Sequence, residues 1–155
     1  GYMHDIGNCV NRVDHAHSGA ILSYNILKDM GMDVNERTEI MMAIGNHDEK
    51  TGTAVSAISA ALILADKSDV HRDRVVNTNM STFDIHDRVN YSVTSSKIEV
   101  DEELMTCTLS LEIDSTISPV IDYFEIFLQR MTMCKNAAKK LGLEFKFNIN
   151  NQSII

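Results

Sequence analysis

Residues 56 to 74 read SAISAALILADKSDVHRDR. From Val55 to Ala65 the run is apolar on every face apart from Ser56 and Ser59, the pattern of a helix buried all round. Asp66 ends that run. Dehydrating a carboxylate is costly unless a cation sits beside it. Lys67 follows directly, but neighbours on a helix point about 100° apart and pair poorly. A metal ion is the better partner, which turns attention to the histidines.

Working outward, the upstream residues read as helices. Gly7 suggests a helix end after His4-Asp5. Asp14 is placed to cap a helix from His15 to Met30, with Ile21, Leu22, Ile26 and Leu27 buried and Gly31 as its stop. Asn35 starts another, with Ile40, Met41 and Ile44 inside, reaching His47-Asp48-Glu49 and breaking at Thr51-Gly52-Thr53. The buried helix then covers Ala54 to about Val70. Residues 75 to 86 read as a loop. Downstream the period becomes two: Val89, Tyr91 and Val93, then Ile98 and Val100, then Met105, Cys107, Leu109, Leu111 and Ile113 alternate with polar residues, with a turn at Asp101-Glu102-Glu103. Ser118 and Pro119 open a long helix to Leu141, closed by Gly142, and Leu143, Phe145, Phe147 and Ile149 form a last strand. The expectation is therefore a mainly α chain: a helical domain over residues 1–86 and a smaller α+β module, β-β-α-β, over 87–155.

With 155 residues, 44% of them hydrophobic, the chain can bury one genuine core with a small appendage. A net charge of -8 without a basic stripe argues against a nucleic-acid polymer as partner. Cys9, Cys107 and Cys134 are odd in number and lack CxxC spacing, which points to a reduced, cytoplasmic protein. No run approaches the length of a membrane span and none reads as a signal peptide, so a soluble protein is expected. The opening Gly1-Tyr2-Met3-His4-Asp5 has no start methionine and no polar lead-in, so more chain is expected before it, with the Gly1 end buried.

Three His-Asp steps occur, at His4-Asp5, His47-Asp48 and His86-Asp87. Their setting is more specific than their number. His4-Asp5, then His15-Ala-His17-Ser-Gly-Ala, then Ala43-Ile-Gly-Asn-His47, then Leu64-Ala-Asp66-Lys67 resembles, in that order, the HD-domain superfamily of metal-dependent phosphohydrolases. The resemblance covers residues 1 to about 74. It implies an HD-type helical bundle holding one or two divalent ions (Mn, Fe, Co, Ni, Zn or Mg), with Asp5 bridging, His4 and Asp66 on one ion, and His15 and His47 on a second. This donor mixture suits transition metals better than calcium.

The resemblance also implies a further metal-binding histidine on a helix upstream of His4. Asn8 stands where many members carry lysine, so the cation facing phosphate is expected from Arg12, Lys67, Arg72 or Arg74, with Asp5, Lys67 and Arg72 in catalytic roles. The expected activity is hydrolysis of a small phosphate ester, nucleotide or dinucleoside polyphosphate by a metal-activated water. The alternatives are a di-iron oxygenase of the same superfamily and a non-catalytic metal- or nucleotide-binding signalling module. His17 faces another side of its helix from His15, and His71, His86 and Asp87 read as structural or capping. The second half carries no ligand set; closing over the site, sensing a ligand, or forming a homodimer through an edge strand are its expected uses.

Overall fold

The computed structural model describes residues 1–155. Helices α1 (His15–Asp29), α2 (Val34–Gly45) and α3 (Ala57–Ser68) come first, after a 3₁₀ turn at Ile6–Cys9. Two more short 3₁₀ turns, Arg72–Arg74 and Met80–Thr82, lead to α4 (Ile85–Ser92). Strands β1 (Val93–Asp101) and β2 (Thr106–Ile113), helix α5 (Val120–Lys140), and strands β3 (Glu144–Ile149) and β4 (Gln152–Ser153) complete the chain. No helix is long and apolar enough to cross a membrane.

The expected mainly α class is corrected. Helices take about half of the chain, and a four-stranded mixed sheet makes the class α+β. The physical reason lies in the pairing of β2 with β3, which is parallel. A parallel pair needs a crossover between its strands, and α5 supplies it. The chain divides into one compact unit of Gly1–Asp66 with Asn136–Leu141, and another of Lys67–Lys135 with Gly142–Ile155.

In the first unit, Ala20, Ala43, Ile44 and Leu62 pack together, with Met3, Ile40 and Met41 against them. Asp33 caps α2 by accepting from the Asn35 amide at 2.8 Å. Gly31, at φ +80°, turns the chain after α1. The buried side of α1 is Ala16, Gly19, Ala20, Ser23 and Leu27, while Ile21 and Ile26 face solvent. This corrects the expected apolar stripe: small residues lie inside because backbone must approach closely there. The all-round burial expected of α3 is also corrected. Ile58 is 51% exposed, and Ala57, Ala61 and Ala65 are exposed too, while Ser59, Ala60, Leu62, Ile63 and Leu64 lie inside. Leaving alanines in water forfeits little, because each has little apolar area to bury.

In the second unit, β1 pairs antiparallel with β2, and β4 pairs antiparallel with β3, giving the order β1-β2-β3-β4. Cys107, Leu109 and Leu111 stand opposite Phe145, Phe147 and Ile149 and share one face of the sheet. Tyr123, Phe127, Met131 and Cys134 form the buried stripe of α5, and the Tyr123 ring lies 5.9 Å from that of Phe147. Burial pushes the Tyr123 phenol well above its ordinary value. Residues 85–92 form a helix where period two predicted a strand at Val89 and Tyr91. Asp84 caps it by accepting from the Asp87 amide at 2.8 Å, and the spacing of Ile85, Val89 and Ser92 suits a helix face equally well.

Candidate metal centre

The centre is assembled by glycine. In the turn Ile6–Cys9, a Cβ on Gly7 would lie 2.0 Å from the His15 carbonyl oxygen and 2.6 Å from the Gly19 amide nitrogen. A Cβ on Gly19 would lie 3.1 Å from the Gly7 nitrogen. The turn thus rests backbone-to-backbone on the first turns of α1 and delivers His4 and Asp5 beside His15. Gly7 serves this close approach and does not end a helix, which corrects the expectation from its sequence. The expected cap of α1 is corrected as well. Asp14 takes a left-handed conformation at φ 65° with no side-chain cap bond, and its carboxylate pairs with the outward-facing His17 ring instead.

His4, Asp5, His15, His47 and Asp66 all converge. His4 Nε2 lies 3.3 Å from Asp66 Oδ1 and 3.6 Å from Asp5 Oδ2. The other Asp5 oxygen, Oδ1, lies 3.3 Å from His15 Nε2 and 3.5 Å from His47 Nε2. The Asp5 carboxylate therefore straddles the cluster, one oxygen toward His4 and the other toward the remaining imidazoles. His47 is the most deeply placed, 1% exposed, with its ring edge-on to both His4 and His15 at 5.1 Å. Asp5 faces the opening, its side chain 49% exposed.

All three rings are oriented by the same device. His4 Nδ1 lies 2.7 Å from the Gly1 carbonyl oxygen, His15 Nδ1 3.1 Å from that of Arg12, and His47 Nδ1 2.6 Å from that of Ile44. Each partner is three residues earlier. A carbonyl only accepts, so each Nδ1 carries the hydrogen and each neutral ring turns its Nε2 lone pair inward. For His47 this also satisfies a carbonyl at the end of α2, a common duty of a helix-terminal histidine; the structural and the ligand roles use different nitrogens.

Such an arrangement sets acceptor against acceptor. His15 Nε2 and His47 Nε2 are only 3.2 Å apart, with carboxylate oxygens beside them. A proton relieves one of these contacts, and a cation relieves the set. The His4 pKa lies above the ordinary 6.5 chiefly through its hydrogen bond to Asp66, assisted by the Gly1 carbonyl and the charges of Asp66 and Asp5 and opposed by burial. The spacings also suit a metal. A tetrahedral ion with bonds near 2.1 Å separates its ligand atoms by about 3.4 Å. Histidine ligands characteristically donate their other ring N–H to a carbonyl or carboxylate.

Two groups could hold an ion: His4, His47 and Asp66, and Asp5, His15 and His47, the ligand atoms within each lying no more than 4.8 Å apart. His47 belongs to both, a sharing that sequence reading did not anticipate. One imidazole nitrogen binds one ion, so His47 completes one group at the expense of the other.

The cations expected to face phosphate have varied settings. Arg12 is exposed in the first unit, and its carbonyl holds the His15 ring. Lys67 is only 5% exposed. Within the second unit the Arg72 guanidinium lies 5.2 Å from the centre of the Tyr91 ring, and Arg74 Nη1 lies 2.6 Å from Asp69 Oδ2. His71 takes an Asp73 amide hydrogen on Nδ1 and donates from Nε2 to the Thr94 carbonyl. The ring-orienting carbonyls and the Gly7–Gly19 contact are what sequence reasoning missed. The small residues on one side of α1 were the available signal for the second. Comparison with protein-family models, characterised proteins and solved structures gives no match.

Proposed function

We propose that the chain is a metal-dependent phosphohydrolase of HD type, acting on a small phosphate ester, nucleotide or dinucleoside polyphosphate. The observation that carries this reading is the set of three imidazoles locked with Nε2 inward around two carboxylates. His4, His47 and Asp66 would hold one ion, and Asp5 and His15 would supply donors to a second. Nitrogen and carboxylate donors together favour Mn²⁺, Fe, Co²⁺, Ni²⁺ or Zn²⁺. Bound there, divalent ions would lower the pKa of a water and brace phosphate oxygens.

The chain's own residues supply the rest. The Asp5 carboxylate is half-exposed, the side on which substrate is proposed to enter, whereas His47 is buried. The proposed catalytic part of Asp5 is as a ligand that would hold an ion and its water at the open side of the cluster. Arg12, in the same unit as the five candidate ligands, is the cation proposed to neutralise phosphate.

The test is metal loading followed by a substrate panel. The chain should bind one or two transition-metal ions per molecule and then hydrolyse aryl phosphates, nucleotides or dinucleoside polyphosphates in a metal-dependent way. Metal binding without turnover of any of these would reduce the reading to a binding module. An oxygen-dependent iron spectrum would replace it with oxygenase chemistry, and no metal binding at all would refute the centre.

A further inference from the structure

β1 is an edge strand. β2 pairs along one side of it, and the sheet order leaves no strand on the other. The far edge is blunted, because β4 has only two residues, a common protection against edge pairing. β1 is longer, with nine residues and an irregularity only near its start, between Val93 and Ser95, and its Val100 is 57% exposed. Near its start the edge is occupied: the His71 ring donates to the Thr94 carbonyl, and the Ser96 hydroxyl donates to the Ser68 carbonyl. From Lys97 to Val100, no backbone group bonds outside the ladder with β2.

We propose that this edge pairs with β1 of a second copy, antiparallel about a two-fold axis at Ile98. Backbone groups of a strand point alternately to its two sides, so a symmetric antiparallel pair must be centred on a residue. Centring on Lys97 or on Glu99 sets like charges directly opposite, which is destabilising. Centring on Ile98 sets Lys97 opposite the partner's Glu99, and Glu99 opposite the partner's Lys97. Ile98 meets its own counterpart, and Ser96 meets the partner's Val100.

The two faces agree with this register. Ser96, Ile98 and Val100 stand opposite Leu111, Leu109 and Cys107, so they share the apolar face of the sheet, while Lys97 and Glu99 stand opposite Ser110 and Thr108 on the polar face. On the apolar face a cavity of about 400 Å³ lies between Ser96, Ile98 and the segment Ser68–Arg74, giving room for the partner's Val100. An edge lysine ordinarily repels a second edge. Here Lys97 Nζ lies 2.7 Å from Glu99 Oε1 of its own strand, so the edge carries balanced charge and is complementary to itself.

The experiment is sedimentation velocity on the 155-residue chain, with circular dichroism to verify that each variant folds. Wild type should dimerise. Lys97→Glu and Glu99→Lys should each raise the dimer dissociation constant at least tenfold. Mixed together, these two should form a one-to-one heterodimer, because one edge is then all acidic and the other all basic. In a Cys9→Ser background, Ile98→Cys should form a disulfide-linked dimer under mild oxidation, since directly opposed residues lie within disulfide reach, whereas Val100→Cys should not. A wild type that stays monomeric overturns the proposal, as do single variants that dimerise like wild type, a mixture that forms no heterodimer, or an Ile98→Cys chain that does not cross-link.

Discussion

Replacing Gly7 by alanine tests whether the metal centre depends on the backbone contact that assembles it. The added Cβ would lie 2.0 Å from the His15 carbonyl oxygen, whereas such contacts are essentially never shorter than 3.0 Å. Both atoms at the clash are backbone or attached to it, so no rotamer change relieves it. The turn must withdraw from α1 by about 1 Å or more, at the cost of roughly 1–3 kcal/mol typical of overpacking. For a chain of this size each kcal/mol lowers Tm by about 2–4 °C, so an apo Tm about 2–12 °C lower is expected. The centre suffers more than the fold. His4 and Asp5 lie just before Gly7, so their distances to Asp66, His15 and His47, now 3.3–3.6 Å, lengthen by a similar amount. Disturbing groups that orient metal ligands costs roughly 10–100-fold in affinity. Gly19→Ala is the internal control, because its Cβ at 3.1 Å from the Gly7 nitrogen needs a movement of only a few tenths of an ångström. Isothermal titration of apo protein with Zn²⁺ or Mn²⁺ reads the affinities, and thermal melting reads the stabilities. A Gly7→Ala chain that binds metal as wild type does would refute the reasoning, since the turn would then not be what sets the ligand distances.

Two other expectations concern the ligands themselves. Asp66→Asn keeps the side chain's size but removes its charge, so metal affinity should fall at least tenfold, and the His4 pKa should return toward 6.5, since the Asp66 hydrogen bond is its largest upward influence. Unchanged metal stoichiometry and affinity would remove Asp66 from the centre. The pH dependences of apo and metal-bound protein should oppose each other. His4 has a raised pKa in the folded apo protein, so its contribution to stability is fully present below about pH 6.5 and is lost as pH rises through the folded value. Metal binding needs His4 neutral and should weaken as pH falls through the same range. Chemical denaturation of the apo protein and metal titration, each at several pH values, check the two signs.

Much of the centre was legible because its chemistry is local in sequence. A His-Asp step, a histidine at a helix start, another just past a helix end and an aspartate closing an apolar run name five residues, His4, Asp5, His15, His47 and Asp66, which the structure gathers into two groups able to hold an ion. The packing that joins them was less legible. Gly7 reads as a helix stop, since a glycine's lack of a side chain signals a turn and a close approach in the same way. Which of the two it serves depends on Gly19, a residue one turn into another helix. The apolar side of α1 was misjudged for a related reason. Hydrophobic size points to Ile21 and Ile26, yet the helix turns inward the small residues that let the Gly7 turn reach its backbone. Tertiary contact outweighed transfer energy there.

The class of the fold failed for a different reason. Each strand of the second unit was readable from its alternation, except where Val89 and Tyr91 also fit a helix, but alternation says nothing about pairing. Whether β3 lies beside β1 or β2, and in which direction, fixes whether α5 is a crossover between paired parallel strands or a link between antiparallel ones. The parallel β2–β3 register makes it the former, and it also leaves β1 at the edge. The same pairing that overturned the mainly α expectation therefore exposes the backbone from Lys97 to Val100. The self-complementary order Lys97-Ile98-Glu99, unremarkable in an internal strand, acquires a consequence only at that edge: it selects a single symmetric register in which charges attract and apolar groups meet.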